Sequence, residues 1–531
     1  MPIQQMLLGS GGKGESDPWG LAIGPAYQDL ITSNIRLDSA RNIIMVSGGG
    51  SNTYITKLKN DGTWLWSKRI SNVGGNYGIG AGHKRQGLAI DSSDNIYITD
   101  EVGYNYSTHN GLRDGDYTLI KFNSSGVIQW QKGIITSYQG NTYGWGTEVG
   151  GVETDPSGNV YISGCAYDST YTKKVFIMKF NSSGTLQWQK ELNQGSNVTG
   201  GCNVSCLLYQ PAKSSYTGQN GTTVEAQNEG VILYGYGTFS GIGGSNTNPF
   251  LLKFDVNGNY DWGRVYYHSS DTMKTNQSEE TSQLLTQDSS GKLYISGENG
   301  GWNSFKCWTA KLEANGDYQS AWAYEYGYTG YVNSAIAFEP THNYLIEVGY
   351  QWTFSNGSES SHYQIRNASN GGLIGKGTLN GQGNSTFNNT HAANQRRVTL
   401  DSVVCDDKGH FYLCGMVQNY TGQNSQRNTV ILKLLSEQVW PYTNDQSYVG
   451  YNQPDFSAYD GRWGITNGMA SGYPNSNPPD SNYWSFNDTN ITTDTNRFNP
   501  TTSSLTIVTS QYQTTNIISW IFNNLYSTWP A

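Results

Sequence analysis

Neighbouring carboxylates are the residues of this chain best suited in type to do chemistry. Asp114 with Asp116, and Glu279 with Glu280, offer the two acids of glycoside hydrolysis, one to protonate the leaving oxygen and one to attack or to activate water. That reaction turns on a carboxylate separation that spacing along the chain does not fix, and solvated loop carboxylates are the ordinary reading of such pairs. The segment GSGGKGES (9–16) has the glycines and lysine of a phosphate loop, yet Lys13 is followed by Gly14 rather than Ser or Thr and no buried strand precedes it, so it reads as a tether. The histidines (His83, His109, His268, His342, His362, His391, His410) show neither H-x-H nor H-E-x-x-H spacing, and no zinc site is expected. Turns such as DSSDN, DPSGN and DVNGN have the composition of calcium loops but lack the twelve-residue spacing and closing glutamate, which leaves tight hairpin turns. No catalytic residue, metal or cofactor is assigned.

Composition narrows the function classes further. Charged residues make up 14% of the 531, below the roughly 25% of ordinary domains, while Gly (65), Tyr (38) and Trp (16) run high, which suits short strands, tight turns and polar loops. A net charge of -9 without any Lys/Arg run argues against a nucleic-acid partner. No stretch of 18 apolar residues exists to span a bilayer, and the opening MPIQQMLLGSGGKGES has no basic n-region or sustained apolar run of a secretory signal, so synthesis in a cytoplasm is expected. Cys165, Cys202, Cys206, Cys307, Cys405 and Cys414 are then expected to be buried free thiols, with Cys202 and Cys206 along one strand.

What must position any site is a repeat. Residues 121–132 read KFNSSGVIQWQK and residues 179–190 read KFNSSGTLQWQK. A basic residue closes a short apolar run at Lys57, Lys121, Lys179, Lys253, Lys311, Arg366 and Lys433, and the first six are followed five residues later by Gly62, Gly126, Gly184, Gly258, Gly316 and Gly371. The seventh has Gln438 there. Trp66, Trp130, Trp188 and Trp262 follow four residues beyond the glycine, and Trp322 and Trp440 keep the residue type at altered spacing. Apolar run, turn and aromatic run make a hairpin. A second hairpin, as in LAIDSSDNIYITD (88–100) and VETDPSGNVYISG (152–164), precedes each, and one copy carries a long insertion between LLYQ and VILYG (207–235). Four strands repeated seven times over residues 35–446 predict an all-β chain, a seven-bladed β-propeller of four-stranded antiparallel blades. The tryptophans are expected to wedge between blades.

The pattern D-x-S-G-N-V-Y-I-S-G followed by I-x-K-F-x-x-x-G-x-x-x-W resembles the bacterial seven-bladed β-propeller repeat family. That resemblance implies the fold and is nearly silent on activity. Two enzyme families of similar architecture are resembled only in part. Asp61-Gly62-Thr63 are contiguous where a sialidase Asp-box needs intervening residues, and the vicinal cysteines of quinoprotein dehydrogenases are missing. Separately, MPIQQMLLGSG resembles the N-terminal peptide of tail-fibre and other structural proteins of phages infecting marine cyanobacteria. It implies a virion protein, expected in a tail or appendage, made in the host cytoplasm and held to other virion proteins by Ile3, Met6, Leu7 and Leu8, with a homo-oligomer on the particle expected.

Three regions result: residues 1–34 as attachment peptide and lead-in, 35–446 as propeller, and 447–531 as an extended wrapping segment. The last is expected to hold one strand over 503–511 and a short amphipathic helix bearing Ile517, Ile518, Ile521, Phe522 and Leu525. Loops on one face of the propeller are long, and they carry Tyr104, Tyr106, Tyr138, Tyr143, Trp145, Trp302, Tyr328, Trp352 and Tyr420 among Asn, Ser and Gly. Aromatics with polar tips suit sugar rings, so this face is the expected ligand site, its ligand a host-surface glycan. A scaffold or decoration protein of capsid or tail without host binding is the alternative, and a glycan-degrading enzyme the third reading.

Overall fold

The computed structural model describes residues 19–23, 31–49, 52–72, 87–101, 117–135, 149–167, 173–193, 202–219, 221–238, 247–268, 273–274, 283–299, 306–318, 322–326, 331–352, 359–381, 396–421, 424–436, 463–466, 491–494, 499–502, 506–508 and 512–516. Within them the chain is all-β, and seven antiparallel sheets, each built on four blade strands, form the blades of a β-propeller. Blade 1 runs from Ile31–Leu37 to Trp64–Asn72, blade 2 from Leu88–Ile90 to Ile128–Ile135, and blade 3 from Val149–Thr154 to Leu186–Asn193. Blade 4 runs from Asn203–Gln210 to Tyr260–His268, blade 5 from Met273–Lys274 to Trp322–Tyr326, and blade 6 from Tyr331–Glu339 to Leu373–Gly381.

Blade 7 closes the ring with strands from both ends of the chain. Arg396–Cys405, His410–Thr421 and Asn424–Leu435 supply three strands, and Trp19–Ile23 supplies the fourth, Trp19 standing opposite Lys433. Residues 19–23, grouped with the lead-in on sequence grounds, therefore lie in the ring.

The periodic residues occupy equivalent places. Lys57, Lys121, Lys179, Lys253 and Lys311 pair opposite Trp66, Trp130, Trp188, Trp262 and Trp322. Trp19 opposite Lys433 completes the series, so the blade-7 tryptophan is Trp19 and not Trp440. Gly62, Gly126, Gly184, Gly258, Gly316 and Gly371 all have φ between 73 and 84°, the left-handed region these tight turns require. The apolar faces of neighbouring blades interlock, as where Tyr161 and Ile177 of blade 3 meet Leu207, Leu233 and Phe250 of blade 4 in one core cluster. Five inner strands carry a β-bulge at the same level, at Thr32/Asn34, Val149/Gly151, Val204/Cys206, Asn333/Ala335 and Leu400/Ser402. Each bulge bends its strand where seven of them converge.

Described pieces of the C-terminal segment pair with five blades, and of the strand expected over 503–511 the structure describes Thr506–Val508. Trp463–Thr466 pairs with blade 6, Ile491–Asp494 with blade 4, Asn499–Thr502 with blade 3, Thr506–Val508 with blade 2 and Tyr512–Asn516 with blade 1, each antiparallel to that blade's outermost strand. These blades are thus five-stranded. The expected helix bearing Ile517 to Leu525 lies outside the described residues.

Candidate functional site

The turn face is built from one repeated latch. In blade 2, Asp91 opens the turn between first and second strands, its Oδ1 accepting the N–H groups of Ser93 and Asn95 at 2.9 Å each, while its Oδ2 accepts the Tyr97 hydroxyl at 3.0 Å. The Lys121 ammonium lies 3.8 Å from Asp91 Oδ2 and 5.1 Å from the Tyr97 ring centroid, and donates to the Ser182 carbonyl of blade 3 at 3.0 Å. Trp130 Nε1 donates to that same carbonyl at 3.0 Å. Blade 3 repeats this with Asp155, Tyr161, Lys179 and Trp188, the last two donating to Val256 of blade 4 at 2.8 and 3.0 Å. Burial, reinforced by the adjacent carboxylates, pushes the Tyr97 and Tyr161 hydroxyls well above their ordinary value and keeps them protonated donors. The motif D-x-S-G-N thus forms hydrogen-bonded turns, and its acids are committed to holding blades together.

Blade 4 departs from the pattern in a way that the sequence showed only as an insertion. Gln210 stands where its neighbours have an acid, and residues 211–229 carry a small hairpin of Tyr216–Thr217 and Thr223–Val224. That hairpin reaches over blade 5. The Tyr216 hydroxyl donates to Glu313 Oε2 at 2.7 Å, and the Gln219 N–H donates to Oε1 at 2.9 Å. Lys292 Nζ lies 3.3 Å from the same Oε1. Burial alone would raise the Glu313 carboxyl, but these donors outweigh it and hold its pKa below the ordinary carboxylate value. Gln227 Oε1 accepts Trp262 Nε1 at 2.9 Å, filling the role a carbonyl plays elsewhere. Lys253 is fully buried, so desolvation lowers its pKa, and Asp261 at 3.4 Å opposes that shift.

Two clusters have the residue types of a catalytic site. Ser436, His342 and Glu339 meet at the junction of blades 6 and 7, but the Ser436 hydroxyl and Glu339 Oε2 both lie 3.0 Å from His342 Nδ1. A relay needs nucleophile and carboxylate on opposite ring nitrogens, so this cluster acts as a junction. Arg36 and Glu153 occupy equivalent positions on the inner strands of blades 1 and 3, two residues before Asp38 and Asp155. Arg36 Nη1 donates to the Ile35 carbonyl at 2.9 Å, and burial lowers its pKa against the opposing pull of Glu153. Among the described residues no group of three or more His, Cys, Asp or Glu is placed to hold a metal ion. The Cys206 thiol is pushed up to about 12 by burial, which leaves it an inert core side chain.

On the face opposite the turns, the strand ends border the longest stretches between strands. Residues 102–116 and 353–358 join second to third strands, and 136–148 and 382–395 join one blade to the next. Tyr104, Tyr106, Tyr138, Tyr143, Trp145 and Trp302 lie outside the described residues, as do Asp114, Asp116, Glu279 and Glu280, the tether 9–16 and the attachment residues Ile3, Met6, Leu7 and Leu8. Trp352 is placed by its backbone: it ends the second strand of blade 6 opposite Glu359, at the edge of this face.

No protein-family model matches the chain, and no curated protein matches it. Solved structures align over much of it at low similarity. A neuraminidase-like protein of A/little yellow-shouldered bat/Guatemala aligns at 13% identity over 79% of this chain and 100% of its own, with a TM-score of 0.31. A catalytically inactive virginiamycin B lyase from Staphylococcus aureus aligns at 11% over 79% and 100%, with a TM-score of 0.37. Prolyl oligopeptidase B from Galerina marginata aligns at 8% over 79% of this chain and 53% of its own, with a TM-score of 0.32. Likenesses this distant transfer neither activity nor ligand.

Proposed function

We propose that the protein is a phage virion component, a tail-fibre or other appendage protein, that contacts host-surface glycan through its long-loop face and performs no chemistry there. The carrying observation is the division of labour over the surface. Tail strands cover the outer edges of five blades, and the turn face spends its acids, lysines and indoles on inter-blade latches. The long-loop face remains, and its loops hold the aromatic residues suited to stacking on sugar rings. The N-terminal resemblance supports the virion part of the reading, with Ile3, Met6, Leu7 and Leu8 as the anchor to other virion proteins.

The test is a glycan array with the purified protein, followed by titration of any hit, for the parent chain, Trp145→Ala and Trp352→Ala. Each substitution is expected to weaken binding by about 1–3 kcal/mol, as interface anchors do, with the melting temperature unchanged. Binding is expected to vary little with salt, because the loops carry sparse charge of both signs. Absence of affinity for host-envelope polysaccharide, or affinity indifferent to both substitutions, would give the case to a scaffold role.

A further inference from the structure

The N-terminal strand enters the ring at the turn face. Trp19 stands opposite Lys433, two residues before the Leu435 that pairs with His410 at the Asp406–His410 turn of blade 7. The Trp19 indole also donates to the Asn60 carbonyl, in the Lys59–Thr63 turn of blade 1. From there the strand runs away from the turns, to Ile23 opposite Thr429. The last described tail strand runs the other way on the neighbouring blade, from Tyr512 opposite Asn72 to Asn516 opposite Lys68, toward the same face.

We propose that the turn face is the side docked on the virion protein that receives Ile3, Met6, Leu7 and Leu8, and that the face bearing the long loops points away from the particle. This rests on the virion role and attachment peptide proposed above, and adds to them an orientation and a contact surface.

Length turns the entry point into an orientation. From Leu8 to Trp19 is eleven residue steps, which span at most about 40 Å when fully extended. The third strand of blade 7, Asn424–Leu435, has twelve residues and is itself about 40 Å long. A tether turned toward the opposite face would use all of its length in crossing the blade. One directed outward from the turns holds the ring close to its anchor with the turn face nearest.

That face also carries one projection among the described residues. The hairpin of Tyr216–Thr217 and Thr223–Val224 stands on it with Thr217, Gln219, Thr222 and Thr223 exposed, and Glu313 holds it from beneath. Seven blades with similar turns make a face of near-rotational symmetry, on which a partner has no unique register. A single fixed projection removes that degeneracy, because a docked protein accommodates it at one rotation of the ring.

Thiol labelling on intact particles tests the orientation. Of the native cysteines all but Cys405 are buried, so the parent chain gives a low background. Thr223→Cys reports on the hairpin and Ser355→Cys on the connection between the second and third strands of blade 6. Each variant is treated with a maleimide as purified protein and again in purified particles. Labelling of Thr223→Cys is expected to slow on the order of ten-fold in particles, as at a site covered by an interface, while Ser355→Cys keeps the rate of the free protein. A particle-to-free ratio that is the same at both sites, or lower at Ser355→Cys, would overturn the proposed orientation. Absence of the parent chain from purified particles is a different result, which overturns the virion role itself and this proposal with it.

Discussion

Trp19 lies against Gly62 across the closure of the ring. Its indole Nε1 donates to the Asn60 carbonyl at 2.8 Å, and a Cβ on Gly62 would stand 3.2 Å from the indole. The same relation links Trp130 to Gly184 and Trp188 to Gly258, where that Cβ would come to 2.8 and 2.7 Å. The joint that closes the ring is therefore chemically the same as the joints within it. Trp19→Ala is expected to cost about 3–5 kcal/mol, as large-to-small core changes do, measurable as a lower urea midpoint. A midpoint within error of the parent would show that closure does not depend on this indole.

The glycines supply an internal control. Gly184 has φ of 81° and faces Trp130, whereas Gly221 has φ of 83° with nothing within 4 Å of its would-be Cβ. Gly221→Ala is expected to cost about 1–2 kcal/mol for the left-handed backbone alone. Gly184→Ala adds a steric term of about 1–3 kcal/mol, because the indole is held by its own hydrogen bond. Equal losses in thermal melts would mean that the tryptophan moves aside freely.

The buried lysines are structural by this account. Lys179→Met, which leaves Asp155 buried beside an apolar chain, is expected to destabilise by about 3 kcal/mol. Asp155→Asn added to it should cost less than the sum of the single changes, because the pair acts together. Loss of ligand binding at unchanged stability would contradict this.

Acid should loosen the bridge between blades 4 and 5. Glu313 has a depressed pKa in the folded chain, so its contribution is complete above the unfolded value of about 4.3 and is lost as pH falls through and below it. Asp406, whose burial is outweighed by His410 and two backbone N–H groups, behaves likewise below about 3.9. Glu313→Gln should lower the melting temperature at pH 7 and flatten its decline between about pH 5 and 3. An unchanged slope would remove Glu313 from the acid response.

The proposed attachment role and the ring-closing strand of the N-terminus are separable by deletion. Removing residues 1–12 should leave the melting temperature unchanged and abolish incorporation into particles. Removing residues 1–24 also takes away the strand Trp19–Ile23 and should destabilise the ring by more than Trp19→Ala does. Normal incorporation of the shorter deletion would sink the attachment role of Ile3, Met6, Leu7 and Leu8.

The repeat made the blades legible because each strand pair is local: Lys179, Gly184 and Trp188 lie within ten residues of one another. Closure was not legible, since Trp19 and Lys433 meet only when the ring is complete. The signal was present in negative form, because the seventh basic residue is followed by Gln438 instead of glycine and has no tryptophan at the repeat spacing. The docking of Tyr216 on Glu313 was hidden for the same reason, as the residues are 97 apart. Of the loop aromatics, sequence shows composition and clustering but no register, for long loops have no period to read.

The direction of the tail has a consequence for how the molecule comes into being. Blades are laid down from 1 to 7, and the tail then returns from blade 6 to blade 1, so Asn516 meets Lys68 only after the whole ring has been made. A nascent chain therefore carries open strand edges through synthesis, and its first outer edge is among the last to be covered. Pairings between such distant residues form slowly, so the covering strands act as a late seal on a ring already assembled. Chains interrupted before residue 463 would leave five rims able to pair with one another, and the crowding of unfinished copies on one message would set how often they do.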